Sequence, residues 1–359
     1  MPATAIDVKQ HRTGIILSTF GVVLFVVFLF SLSIGQVSIP VEEIFFITLK
    51  KIGLYRSYQP DAVHEVVLWT IRLPRVLMTI LIGAALAISG AALQGMFRNP
   101  LVEPGLIGVS SGAALAVVVL IVFGGVLSLT RESMSMSMLM PLFAFAGGFL
   151  ATLLVMKIGN QVGRTNIAVL ILGGVAINAL AGALMGLVIF FADENQLRMF
   201  TFWTLGDLGG ATWSKLLIAT PLLILSSVWL LTFQLPLNAI AIGEAEAFHM
   251  GVDVERVKKS IVFFSALAVG VSVSLAGTIG FVGLVVPHLI RVMFQADNRL
   301  VLPASLLGGP VLLLLADIIA RSVVAPSELP IGVVTALVGA PFFILLLNRA
   351  KQKNELSTQ

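Results

Sequence analysis

The chain has 359 residues, of which 58% are hydrophobic and 11% charged. A soluble protein carries roughly 25% charged residues, so this chain cannot cover a water-facing surface and must turn apolar side chains to lipid. Its net charge of +4 is scattered between apolar runs, the pattern of membrane loops and not of a nucleic-acid patch, and the lack of cysteine excludes disulfides and thiolate chemistry.

The apolar runs are long and uniform rather than alternating, so the expected fold is all-α and polytopic, not a barrel. At about 20 residues per span, ten spans fit within one membrane domain covering residues 1–359. The first, 14–34, follows Lys9, His11 and Arg12; it is too long for a signal peptide and reads as a retained helix running outward. An external segment, 35–71, includes a short surface helix over Val41–Lys51. The second span, 72–96, opens with Arg72-Leu73-Pro74-Arg75 and ends at the turn Arg98-Asn99-Pro100. The third, 104–125, leads to a Ser/Met-rich external loop, 126–138, and the fourth, 139–158, returns. The fifth, 166–191, leads to external residues 192–211, and the sixth, 212–234, returns.

The pattern then breaks over about residues 235–259. Pro236 stops a helix, and Asn238 can cap a new one. A short run to Ile242 is interrupted by Gly243; a second, Glu244 to Met250, stops at Gly251, which tolerates a left-handed helix end. Asp253 can cap the next helix. Two short helices outside the bilayer with apolar side chains need a cover, and the expected cover is another protein. Four further spans follow, 260–277, 280–294 through Pro287-His288, 300–321 and 330–348, before a tail with Arg349, Lys351 and Lys353. This topology puts 13 of the 22 Lys and Arg residues inside and 9 outside, a mild positive-inside bias. The outer exceptions concentrate at Lys50, Lys51, Arg56, Arg72, Arg75 and Arg321.

Small residues recur at helical spacing: Gly83, Ala87 and Ala91 in span two, and Gly182 and Gly186 in span five. Such faces let helices approach closely in lipid. Reaction machinery is missing. No phosphate-cradling Gly-x-x-x-x-Gly-Lys-Ser/Thr run occurs, so this chain alone is not expected to hydrolyse ATP, and no cofactor is expected on it. His11, His64, His249 and His288 are scattered, which argues against a metal site. His288 is expected to make a structural hydrogen bond beside Pro287. Asp317, deep in an apolar run, is expected to pair with Arg321 one turn along. A secondary transporter driven by an ion gradient would need more intramembrane titratable groups and stays the alternative of another class.

Four motifs, and a fifth near the end, carry a resemblance. They are Arg72-Leu-Pro-Arg75; Gly83-Ala-Ala-Leu-Ala-Ile-Ser-Gly90 with Gln94; Asn99-Pro-Leu-Val-Glu-Pro-Gly-Leu-Ile-Gly-Val-Ser-Ser-Gly-Ala113; Gly277-Thr-Ile-Gly-Phe-Val-Gly-Leu-Val-Val-Pro-His-Leu-Ile-Arg291; and Glu328-Leu-Pro-Ile-Gly-Val-Val-Thr335 continuing to Gly339-Ala-Pro341. From about residue 70 to 348 the chain resembles the permease subunits of binding-protein-dependent ABC importers for iron-siderophores, heme and cobalamin. Departures are small: Val102 stands where alanine is usual and Ile242 where leucine is frequent.

The resemblance implies a homodimer of ten-helix subunits with an inverted repeat, in the bacterial inner (cytoplasmic) membrane, with both termini cytoplasmic. It implies two ATP-binding partner subunits, which hold ATP and magnesium, and a periplasmic or lipid-anchored substrate-binding protein. The break at 235–259 corresponds to the family's ATPase-coupling helices, with Gly243, Glu244, Ala247, Met250, Gly251 and Arg256 at the matching positions. Arg72, Arg75 and Arg321 match positions that dock the acidic lobes of the binding protein. Spans five and ten are expected to line the path, with Thr165 and Asn166 near an inner gate and Asn178 the polar residue of span five. The expected cargo is an iron(III)-siderophore; heme or cobalamin on the same machinery is the alternative.

Overall fold

The computed structural model describes residues 5–55, 58–125, 136–161 and 164–357. Arg56 and most of the Ser/Met-rich loop (126–135) lie outside the described residues. Helix α1 spans Ala5–Ser33, and α2 spans Val41–Ile52, ending at Gly53 with φ 86°. Helix α3, Ala62–Val66, starts on Asp61, whose side chain accepts from the Val63 amide, and runs through a π turn at Val67–Arg72 into α4, Leu73–Phe97. The π turn directly precedes Pro74, which has no N–H to give back one turn earlier. The second span therefore begins ten residues before the point expected from the sequence.

A 3-10 turn, Pro104–Ile107, leads to α5, Val109–Phe123. Helix α6, Met136–Gly159, ends in a two-stranded hairpin, β1 (Asn160–Gln161) against β2 (Arg164–Thr165), with Asn160 opposite Thr165. Asn166 caps α7, Ile167–Ile189. An Asp193/Gln196 capping box opens α8, Glu194–Leu205, a helix absent from the expected external segment. Thr212 caps α9, Trp213–Leu231. Next come α10 (Gln234–Ile242), α11 (Glu244–His249), α12 (Val254–Ala276), α13 (Val282–Met293), α14 (Asn298–Ser322) and α15 (Ile331–Ser357).

Among the described residues, seven helices are long and apolar enough to cross a membrane, the joined α3–α4 unit being one, and three shorter apolar helices lie over Val109–Phe123, Val282–Met293 and Ile331–Ile344. The chain is thus an all-helical, multi-pass membrane protein apart from the small hairpin. Helix α4 forms the centre and is buried on nearly every face from Ile82 to Phe97. It meets α14 through the small-residue face read from the sequence: a Cβ on Gly83 would lie 2.8 Å from the Gly309 carbonyl oxygen. Helices α9, α12 and α13 also pack on α4. Gly182 and Gly186 of α7 differ, because a Cβ on either would meet nothing within 4 Å. The second small-residue face has no partner among the described residues.

One end of the bundle carries α10, α11 and the hairpin. The opposite end carries Arg72, Arg75 and Arg321. There α2 folds back, and Ile39, Ile44 and Ile47 join Val27, Leu32, Leu68, Val76 and Leu314 in a satellite apolar cluster.

Candidate functional site

The break after α9 is organised from its polar joints. Pro236 sits in the first turn of α10, where its missing N–H costs nothing. Asn238 does not cap a helix, as its side chain type suggested. It lies inside α10 and reaches the start of α14, donating to Asp297 Oδ1 at 2.7 Å and accepting from the Asn298 amide at 2.9 Å. Arg291 of α13 donates to Asn298 Oδ1 at 3.2 Å and to the Ala91 carbonyl of α4 at 3.1 Å, so α10 is tied to three helices of the body.

Helix α11 follows Gly243 and ends where expected. Gly251 takes φ 84°, and Asp253 accepts from the Arg256 amide at 3.1 Å to cap α12. Helix α12 begins at Val254, six residues before the expected span, because that cap is already in place and Val254, Val257 and Lys258 turn into the core. Ala247 is fully buried and anchors α11. Around it Ile242, Phe248 and Met250 are 70%, 70% and 55% exposed. Arg256 is exposed and pairs with Asp253 at 2.9 Å. The six expected coupling residues thus share one end of the fold, with anchoring groups inward and large apolar groups outward.

Two of the three expected path residues lie beside them. Thr165 is buried at the end of β2, and Asn166 caps α7 through its Oδ1, which accepts from the amides of Ala168 (3.0 Å) and Val169 (3.3 Å). Asn178 lies about 18 Å further along α7 at 1.5 Å per residue. It accepts from the Ser111 hydroxyl at 2.5 Å and donates to the Gly105 carbonyl at 3.3 Å, pinning α7 to the start of α5.

At the opposite end the three arginines are buried. Docking by direct contact needs guanidinium groups on the surface, but Arg72, Arg75 and Arg321 are only 4%, 6% and 5% exposed. Arg72 donates to the carbonyls of Leu32 (2.5 Å), Ser33 (2.8 Å) and Val37. Arg321 donates to the carbonyls of Ile34 and Ser31, each at 3.1 Å. Both hold the end of α1 and the turn after it, whose carbonyls would otherwise be orphaned. Arg75 pairs with Asp317 at 2.8 Å and with Glu328 at 2.8 Å, and Arg321 Nε lies 3.0 Å from Asp317. The expected Asp317–Arg321 pair exists and is part of a larger network joining α4, α14 and the loop before α15. His288 is buried, and its Nδ1 has no hydrogen-bond partner among the described residues.

Two charged residues went unassigned in the sequence. Lys258 lies in the 235–259 break without a role of its own there, yet it is 2% exposed and pairs with Glu244 at 2.7 Å. Its i,i+3 spacing from Glu255 was the only local signal. Glu103 stood inside a quoted motif without a role. Its Oε1 accepts from the Phe281 amide at 3.0 Å, joining the segment before α5 to the segment before α13. Both short helices are entered through a left-handed residue, Gly108 (φ 85°) and Phe281 (φ 68°). A cavity of about 230 Å³ lies at this joint, lined by Glu103, Gly105, Ser110, Thr278 and Gly280 among others.

Comparison with known proteins decides the family. The profile of the FecCD transport family matches residues 23–349. The chain belongs to the FecCD transport family. Among FecCD-type relatives, the hemin transport system permease protein HmuU of Yersinia pestis is 42% identical over 84% of this chain and 88% of its own length. The vitamin B12 import system permease protein BtuC of Salmonella typhi is 41% identical over 79% of this chain and 84% of its own. A solved structure, described as an inward-facing conformation of a metal-chelate type ABC transporter, superposes with a TM-score of 0.79 at 33% identity, covering 93% of this chain and 99% of that one. The resemblance carried by the sequence motifs is therefore borne out at the level of the ABC importer permeases.

Proposed function

We propose that this FecCD permease works as a homodimer that imports an iron(III)-siderophore across the bacterial inner membrane, with both termini cytoplasmic and ATP hydrolysed on two separate subunits. The carrying observation is the α10–α11 end. Ile242, Phe248 and Met250 stand out from a base fixed by Ala247 and Asn238, a rigid apolar knob outside the membrane-spanning helices. Such a patch with no lipid to cover it fits a protein groove. Gly243, Glu244, Ala247, Met250, Gly251 and Arg256 are the coupling set in this reading. ATP and magnesium sit on the partner, and this chain contributes no catalytic residue.

The second copy covers α7, whose Gly182–Gly186 face is open and whose Leu172, Val175, Leu180 and Leu187 are exposed. Ten spans and an inverted repeat are supported by the short helices α5 and α13, which break in the same way at the third and eighth expected spans. Thr165, Asn166 and Asn178 flank the path. Arg72, Arg75 and Arg321 serve binding-protein docking from beneath the surface, by fixing the turn after α1 and the loop bearing Glu328. Heme or cobalamin is a second reading of the cargo, favoured by the names of the relatives at 42% and 41% identity.

Phe248→Glu tests the knob. The expected result is a monodisperse permease that no longer retains an ATPase subunit on purification, while the wild type does. Retention by the variant refutes the coupling assignment. Uptake of labelled ferric siderophore, heme and cobalamin in a strain lacking this chain then assigns the cargo.

A further inference from the structure

We infer that Lys258 is a positioning residue, a strut that ties the movement of α11 to the hairpin at the start of α7. The inference rests on the reading of α10–α11 as the ATPase-contacting end. Lys258 stands on the first turns of α12 and is buried. Its ammonium reaches in two directions. On one side it pairs with Glu244, the first residue of α11, at 2.7 Å. On the other it donates to the Thr165 carbonyl at 3.1 Å.

The second strut member is Glu255, one turn back. Its Oε2 accepts from the Thr165 amide at 2.7 Å, and its Oε1 lies 3.7 Å from Lys258. Both backbone groups of Thr165 are therefore held by one end of α12. Thr165 closes the hairpin against Asn160 and immediately precedes Asn166, the cap of α7. A displacement of α11 then has one short polar route to α7: Glu244, Lys258, Thr165, Asn166. Charge-assisted hydrogen bonds from a buried ammonium are directional, which apolar packing is not. This gives the route a defined register that a hydrophobic contact lacks. A chain of contacts becomes a coupling element only when a measurement shows that both ends respond through it.

The test uses the complete transporter, with its ATPase subunits and binding protein, in proteoliposomes. The chain has no cysteine, so cysteines introduced at the exposed Glu246 and Asn160 are its only labelling sites, and mixing labelled with excess unlabelled permease isolates the distance within one copy. In the wild-type background the label-to-label distance distribution is expected to be narrow and the same with and without nucleotide. Lys258→Met is expected to broaden it, to leave the ATPase bound and hydrolysing, and to lower cargo moved per ATP by about tenfold, the scale of one lost charge-assisted bond. Lys258→Arg, which can donate to both Glu244 and the Thr165 carbonyl, is expected to restore both readouts. An unchanged distance distribution in Lys258→Met overturns the strut, as does transport per ATP within about twofold of the wild type. Equal loss in the Met and Arg variants, tracking a fall in thermal midpoint, also overturns it and makes Lys258 a stability residue only. If the wild-type permease brings down no ATPase, the coupling-end reading itself falls, an outcome visible before any variant is compared.

Discussion

Asp317→Asn probes the outer network most directly. The carboxylate is fully buried between two guanidinium groups, 2.8 Å from Arg75 and 3.0 Å from Arg321. The substitution keeps the shape and removes the charge. Arg75 retains Glu328, but Arg321 is left with only backbone carbonyls and the Ser31 hydroxyl. Breaking a buried pair in this way costs about 3 to 5 kcal/mol. With the per-residue unfolding entropy of soluble domains as the scale, about 2.1 cal/mol/K, a chain of 359 residues loses about 4 to 7 °C of midpoint for that cost. Thermal unfolding in detergent micelles, followed by circular dichroism, measures it. A midpoint within about 1 °C of the wild type for Asp317→Asn would refute the argument that this charge holds the outer end together.

Gly90→Val is expected to prevent a monodisperse fold, since its Cβ would lie 2.7 Å from the Gly283 Cα and overlap the adjoining carbonyl; size-exclusion chromatography of the solubilised protein reads this. Gly251→Ala meets no atom within 4 Å but forces alanine into φ 84°, at a cost of about 1 kcal/mol. The expected result is a midpoint lower by only about 1 °C together with clearly reduced transport, because the strain falls on the turn joining α11 to α12.

What the sequence revealed depended on how local its cause was. The surface helix over Val41–Lys51, the left-handed stop at Gly251 and the Asp253 cap follow from neighbours within one turn, and α2, Gly251 and α12 match them. The close α4–α14 contact was legible as a small-residue face, though not its partner. Helix α8 was missed although the Asp193-x-x-Gln196 spacing announces it. The burial of the arginines was not legible at all. It arises because residues 34–39 fold back over Arg72 and Arg321, contacts separated by 35 to 287 residues in sequence. Lys258 and Glu244 are only fourteen residues apart, yet their pairing depends on the path of α11, which no periodicity encodes.

The joint between Glu103 and Phe281 has a consequence for the surrounding lipid. Helices α5 and α13, with 15 and 12 residues, are about 22 and 18 Å long, shorter than a hydrocarbon core of about 30 Å. The missing depth is crossed by irregular backbone, much of it only half-buried from Gly105 to Leu106 and from Thr278 to Phe281. Acyl chains cannot solvate peptide groups, so they cannot lie against this seam. The annulus of lipid around the subunit is therefore interrupted on one side, and what faces the gap is protein or water.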